Sequence, residues 1–172
     1  AGGSGRSHGD GPVHELTVEG WEYTIRQNLT SVMLSSRAAV RRFREQESGG
    51  TILNMGSVLG FSPSPRYFAA HAYAAAKAGI EGFSKSLASY YANENIRVNV
   101  IAPALVETPM SERAQENDEI MGFVKEKQPL DGGRIGAPGD LDSAVLCLLG
   151  AAGRYVTGQV LKVDGGWSVT EA

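Results

Sequence analysis

Tyr73 and Lys77 are four residues apart, so on a helix they would lie on the same face, one turn from each other. A free phenol has a pKa of about 10, which is too high for efficient proton transfer at neutral pH. A fixed ammonium nearby favours the phenolate and lowers that pKa towards the range that suits a general acid or base. Surface helices also carry Tyr and Lys at this spacing by chance, so the pair needs support from other residues.

Two polar residues give that support. Ser57 closes a short strand-like run, where its hydroxyl is placed to donate to a substrate carbonyl oxygen. Asn28 lies beside the apolar stripe of the first predicted helix, between Ile25 and Leu29. A buried amide there needs hydrogen-bond partners, because an unpaired one costs stability. The alternative for Asn28, an incidental polar residue at a helix edge, stays open on these observations.

The elements that must position these residues alternate between helix and strand. Thr17 is a candidate N-cap for a long helix whose apolar residues recur every three or four positions and which ends near Gly49 and Gly50. Residues 107–130 are polar and mixed, which is typical of a mobile helical excursion. The remaining predictions are strands over 51–55, 96–101 and 159–163, and helices over 71–92 and 141–149.

Helix–strand alternation without hairpin signals implies parallel strands joined by crossover helices, and hence a layered α/β sheet. In such sheets, ligands bind at the carboxyl ends of the strands. Ser57 and the segment 103–108 each come directly after a predicted strand. We therefore expect the functional site at that edge of the sheet.

Composition limits the class of protein. The 172 residues are enough for one domain with a real core and too few for two of ordinary size. A net charge of −3 without long charge runs gives no reason to expect nucleic-acid or membrane binding, and no apolar stretch is long enough to span a bilayer.

The single Cys147 excludes an internal disulfide and a cysteine-based zinc site, and its apolar neighbours predict a buried residue. We expect no metal, and a cytoplasmic protein is the default.

Five segments carry a family resemblance. They read WEYTIRQNLT at 21–30, ILNMGSV at 52–58, YAAAKAG at 73–79, IRVNVIAPALVETPM at 96–110 and TGQVLKVDGG at 157–166. In this order they resemble the short-chain dehydrogenase/reductase family, over essentially the whole chain. The resemblance implies a Rossmann-like parallel sheet with flanking helices.

The resemblance also implies roles for the four residues above. Tyr73 would donate a proton to a carbonyl, or accept one from an alcohol. Lys77 would lower the Tyr73 pKa and hydrogen-bond the nicotinamide ribose, and Ser57 would orient the substrate oxygen. Asn28 would hold a water through its main chain, in a proton relay behind Lys77.

Further implied contacts belong to the cofactor, NAD or NADP. Pro103, Ala104, Val106 and Thr108 would wrap the nicotinamide end, where Ala104 replaces the family's usual glycine. The opening Ala1-Gly2 matches the end of the family's Asn-Asn-Ala-Gly segment, so these two residues are cofactor-binding candidates as well.

The same match predicts what the chain lacks. In the family about 90 residues precede this point, and they hold the first strands and the Gly-rich turn that binds the pyrophosphate. We therefore expect residues 1–172 to form a single partial domain, the catalytic C-terminal part of the fold. Gly2, Gly3 and Gly5 are no substitute for that turn, because they follow no predicted strand and open no predicted helix.

The interval between Ser57 and Tyr73 is longer than the commonest family spacing. The extra length falls around residues 62–68, and we expect Tyr67 and Phe68 to wall a substrate pocket. His71 either faces that pocket or is a partly exposed residue at a helix start.

The resemblance implies an oxidoreductase that moves a hydride between NAD(P) and a small carbonyl or alcohol substrate, in a homodimer or homotetramer. The alternative is a catalytically silent fragment or binding module without a dinucleotide site. A lyase or epimerase on the same fold is the third possibility.

Overall fold

The core of the fold is a sheet of three parallel strands. The computed structural model describes residues 3–171, in which β1 is Gly50–Met55, β2 is Ile96–Pro103 and β3 is Val160–Val163. The strand order is β1-β2-β3, so β2 lies in the middle and most of its side chains are buried. This arrangement confirms the α/β fold with a parallel sheet and flanking helices.

A long helical run precedes β1. It consists of α1 (Val18–Ile25), a π-helical turn (Arg26–Thr30) and α2 (Ser31–Gln46). As predicted, Thr17 is the N-cap, and its Oγ1 accepts a hydrogen bond from the N–H of Gly20 at 2.9 Å. The π turn was not predicted, because one wider turn shifts the apolar stripe too little to interrupt its periodicity.

Helix α3 (His71–Tyr91) connects β1 to β2. A core cluster lies between this helix, α2 and the sheet, and it consists of Val40, Ile52, Ala88, Ile96 and Val98. This packing fixes α3, and with it Tyr73 and Lys77, against β1 and β2.

Two short helices, α4 (Glu112–Gln115) and α5 (Asp118–Lys127), form the segment that was predicted to be a helical excursion. Their buried residues pack with Val58 and Trp167 in a second core cluster. The apolar residues of this segment are anchored beside the carboxyl end of β1. Its expected mobility stays a prediction.

Helix α6 (Asp142–Leu149) follows a 3₁₀ turn at Pro138–Leu141. The prediction that Cys147 is buried was wrong, because its side chain is exposed. Only Leu148 of this helix is buried, and Leu146 is 71% exposed. The helix packs one face on β1 and β2, and no described residue covers its outer face.

Candidate active site

A cavity of about 730 Å³ opens at the carboxyl ends of β1 and β2. Its lining includes every described residue that was predicted to be catalytic or to bind the cofactor: Asn28, Ser57, Tyr73, Lys77, Pro103, Ala104, Val106 and Thr108. The structure therefore brings together residues from four segments of the chain. The two other candidates, Ala1 and Gly2, lie outside the described residues.

Ser57 and Tyr73 both line this cavity, and the Ser57 hydroxyl is near enough to the phenol to affect its pKa. Both residues are buried, each with 8% of its surface exposed. Burial raises the pKa of Tyr73 above its usual value of 10.0, because it penalises the phenolate, and the nearby Ser57 hydroxyl lowers it in part. Ser57 Oγ also accepts a hydrogen bond from the N–H of Leu59 at 3.3 Å, which fixes the serine side chain.

Lys77 lies one helical turn beyond Tyr73, and its Nζ is 5.4 Å from the centroid of the Tyr73 ring. The ammonium donates a hydrogen bond to the main-chain oxygen of Met55, the last residue of β1, at 2.9 Å. Burial lowers the pKa of Lys77 to about 8. The lowering of the Tyr73 pKa by Lys77 stays a prediction, since burial of the phenol acts in the opposite direction.

Asn28 lies in the π-helical turn and is 2% exposed. Its Nδ2 donates hydrogen bonds to the main-chain oxygens of Gly3 and Thr24, both at 2.9 Å. The main-chain oxygen of Asn28 accepts from Ser31 Oγ at 3.0 Å, and the buried Oδ1 has no partner among the described residues. The interpretation as an incidental residue at a helix edge is therefore wrong, because this amide ties the N-terminal loop to the cavity wall.

Asp10 is a residue of the site that the sequence did not indicate. Its carboxylate caps α3, because Oδ1 accepts from the N–H of Ala72 at 3.0 Å and Oδ2 accepts from the N–H of Tyr73 at 2.9 Å. A negative charge is stabilising at this end of a helix. No local signal marks the cap, since Asp10 lies far from α3 in the chain, in a Gly-rich segment.

The segment after β2 is held by its own hydrogen bonds. Val106 forms a parallel bridge with Gly136, and its main-chain oxygen accepts from Ser111 Oγ at 2.7 Å and from Thr108 Oγ1 at 3.3 Å. The loop therefore presents a fixed backbone to the cavity beside Pro103 and Ala104.

The loop at 62–68 contributes Phe68 to the cavity, whereas Tyr67 packs on the ring of Phe123 at 5.4 Å between centroids. Trp167 lines the cavity too, which the sequence analysis missed. His71 is exposed and is not part of the lining, in agreement with its interpretation as a helix-start residue.

Other kinds of site find no support in residues 3–171. No group of three or more His, Cys, Asp or Glu side chains there is arranged to hold a metal ion. No helix of that part of the chain has the length and apolar content needed to cross a membrane. The cytoplasmic location stays a prediction.

Comparison with known proteins decides the family. A family model of short-chain dehydrogenases, described as enoyl-(acyl carrier protein) reductase, matches residues 1–168. The chain belongs to the short-chain dehydrogenase/reductase family.

The chain is similar in sequence and structure to members of the short-chain dehydrogenase/reductase family that act on different substrates. A 3-oxoacyl-[acyl-carrier-protein] reductase of Chlamydia trachomatis is 39% identical over 91% of this chain and 60% of the relative. A 4-hydroxyisoleucine dehydrogenase complexed with NADH superposes with a TM-score of 0.86 and 31% identity, over 94% of this chain and 64% of that one. A gluconate 5-dehydrogenase from Burkholderia cenocepacia, complexed with NADP and tartrate, gives a TM-score of 0.87 and 27% identity over 94% and 61%. The chain thus spans about 60% of the length of the curated relatives it matches.

Proposed function

We propose that this chain carries the catalytic part of an oxidoreductase, which moves a hydride between NAD or NADP and a carbonyl or alcohol carbon, with Tyr73 as the general acid or base. The observation that carries the proposal is the convergence of Ser57, Tyr73 and Lys77, all three buried, on one cavity, with Lys77 Nζ 5.4 Å from the centroid of the Tyr73 ring. Family membership supports it, as do related structures that are complexes with NADH and with NADP.

The residues present fit the nicotinamide half of such a cofactor. The Lys77 ammonium has three N–H donors, of which one goes to Met55, so two are left for ribose hydroxyls. Val106 and Thr108 offer main-chain groups and a hydroxyl in the same cavity. When bound, the reduced cofactor supplies the hydride that adds to the substrate carbon. Ala1 and Gly2 stay candidates for further cofactor contacts.

The side chains of the site handle the proton. In the direction of reduction, Ser57 donates to the substrate carbonyl oxygen, and Tyr73 transfers its phenolic proton to the same oxygen as the alcohol forms. With its pKa raised by burial, Tyr73 is a protonated phenol at neutral pH, which is the form that donates. The Lys77 charge then stabilises the phenolate, and Asn28 holds a water that returns a proton through Lys77.

The test compares Tyr73→Phe with Tyr67→Phe, a matched removal of a phenol hydroxyl from a residue outside the cavity lining. The assay follows the oxidation of NADH and NADPH with a panel of aldehydes and ketones, in the longest form of the protein that its gene encodes. We expect Tyr73→Phe to lower kcat by about 10²–10⁴-fold and to leave NADH or NADPH binding, followed by fluorescence, intact. Equal activity of the two variants would refute the role of Tyr73. Failure of the wild type to bind either cofactor would favour the catalytically silent module.

We also propose a homodimer or homotetramer. The exposed apolar residues Trp21 and Leu34 of α1 and α2, and Tyr90 near the end of α3, offer surface for helix packing between copies. Sedimentation equilibrium of the same protein tests this proposal, and a monomer at all concentrations would contradict it.

A further inference from the structure

The cavity of the candidate active site is positively charged. Among the described residues that line it, Arg6, Lys77 and Arg113 are cationic and none is acidic. The whole chain, in contrast, has a net charge of −3. The proposed proton transfer uses only Lys77, so the two arginines have no role in it.

The two arginines converge on one neutral atom. Arg6 Nη2 donates a hydrogen bond to the main-chain oxygen of Tyr67 at 3.1 Å, and Arg113 Nη2 donates to the same oxygen at 3.0 Å. Burial, and next the charge of Arg113, lower the pKa of Arg6. A carbonyl dipole offsets two positive charges far less than an anion would.

In the part of the chain that the structure describes, no carboxylate pairs directly with Arg6 or Arg113. None of its ion pairs involves Arg6 or Arg113. Asp10 attracts the Arg6 charge, but both of its oxygens accept main-chain N–H groups at the start of α3. The arginine pair therefore has donor capacity to spare, because each guanidinium carries five N–H donors.

The surroundings of the pair are apolar on the side of the cavity. The Arg113 guanidinium carbon lies 6.0 Å from the centroid of the Phe68 ring, and Phe68, Met110 and Leu59 all line the cavity. Both arginines line the cavity and are also exposed to solvent, so they lie at the cavity mouth. A molecule with an apolar body and one anionic end matches this distribution.

We infer that Arg6 and Arg113 together bind a carboxylate of the substrate, so that the substrate is an oxo or hydroxy carboxylic acid with an apolar body. Each of the two carboxylate oxygens accepts from one guanidinium, in charge-assisted hydrogen bonds that replace or join those to the Tyr67 oxygen. The inference deepens the proposed function and rests on it, since it assigns the substrate class of the same cavity.

The first experiment measures binding and needs no turnover. Hexanoate and its neutral counterpart methyl hexanoate are titrated by calorimetry into the longest natural form of the protein, saturated with NAD or NADP. We expect hexanoate to bind at least about 10-fold more tightly than the ester, and Arg6→Gln or Arg113→Gln to weaken hexanoate alone by about 5–20-fold each. The matched control is Arg66→Gln, an exposed guanidinium 4.9 Å from the Tyr67 ring that does not line the cavity.

The second experiment measures reduction of 2-, 3-, 4- and 5-oxohexanoate and of their methyl esters. At the preferred carbonyl position, we expect each variant to raise KM for the acid and to leave kcat, and the kinetics of the ester, within about twofold.

Equal hexanoate binding by wild type and both variants would overturn the inference. A change in the KM of the cofactor in place of the KM of the acid would overturn it as well. Turnover of esters and acids alike would overturn it and leave the proposed function intact. Binding of hexanoate by the arginines without any Tyr73-dependent turnover would support the site and count against the proposed function.

Discussion

The Asp10 carboxylate accepts a hydrogen bond from the main-chain N–H of Tyr73 at 2.9 Å, so the general acid or base that we propose is held at the first turn of its helix by a side chain from the N-terminal loop. The other carboxylate oxygen accepts from Ala72, and Asp10 itself is 5% exposed. Asp10 is therefore a positioning residue, which acts through the helix that carries Tyr73 and Lys77.

Replacing Asp10 by Ala is expected to lower the free energy of unfolding by about 1–3 kcal/mol, because two buried N–H groups lose their acceptors. It is also expected to lower kcat several-fold with little change in the KM of a neutral ester substrate, since Tyr73 is displaced and such a substrate makes no ionic contact with Arg6. Denaturant titration and steady-state kinetics check both effects. Asp10→Asn retains one acceptor oxygen, so it is expected to lie between wild type and Asp10→Ala. An unchanged kcat in the alanine variant would reduce Asp10 to a role in stability alone.

Thr17 and Asp10 show which helix caps can be predicted from the sequence and which cannot. Thr17 caps a helix that begins at the next residue, so the apolar periodicity that follows made it recognisable. Asp10 caps a helix that begins about 60 residues later, and no local pattern records such a contact. Short-range caps, strands and the bounds of α3 were therefore predictable, and the long-range cap was not.

The same distinction applies to burial. Family motifs identified the residues that line the cavity, because their order along the chain is informative. Cys147 was wrongly predicted to be buried, since apolar neighbours reveal which residues prefer burial but not what covers them. The second core cluster and Trp167 likewise depend on contacts between segments that are distant in sequence.

Lys77 gives a prediction on pH. Its pKa is lowered from 10.5 to about 8 in the folded protein, so between these values the unfolded chain binds more protons and stability rises with pH. Lys77→Met removes this titration and retains much of the side-chain volume. Relative to the variant, the wild type is expected to gain about 2 kcal/mol of unfolding free energy from pH 7.5 to pH 9.5.

Urea titrations of both proteins at pH 7.5, 8.5 and 9.5 measure the difference between wild type and Lys77→Met. Tyr73 and the other titrating groups are common to both proteins, so their contributions largely cancel. A difference that stays constant with pH would show that the Lys77 ammonium is not destabilised by burial.

Gly20 and Gly82 form a matched pair for a test of packing. A Cβ atom on Gly20 in α1 would lie 2.6 Å from the main-chain carbon of Gly9 and 2.7 Å from the oxygen of His8. A Cβ on Gly82 in α3 would have no neighbour within 4 Å. Gly20→Ala is therefore expected to lower the free energy of unfolding by about 1–3 kcal/mol, and Gly82→Ala to raise it by up to about 1 kcal/mol. Thermal and urea unfolding of the two variants check the signs, and a stabilised Gly20→Ala would mean that the N-terminal loop does not pack on α1.

The 172-residue chain by itself is expected to be unstable or to associate with itself. Among the described residues, β1 pairs only with β2, so one edge of that strand has unpaired main-chain groups. The outer face of α6 adds apolar surface, with Leu146 71% and Leu149 46% exposed. An open strand edge next to exposed apolar side chains favours pairing with a second copy over a stable monomer.

Sedimentation velocity at rising concentration measures this association, and the weight-average sedimentation coefficient is expected to increase with concentration. Leu146→Glu places a charge on the exposed apolar face and is expected to shift the chain towards monomer. Tyr155→Glu is the matched control, because Tyr155 is fully exposed and lies outside α6. If the unsubstituted chain sediments as a monomer and unfolds in one cooperative transition, the open edge and the α6 face do not drive association, and residues 1–172 form a self-sufficient unit.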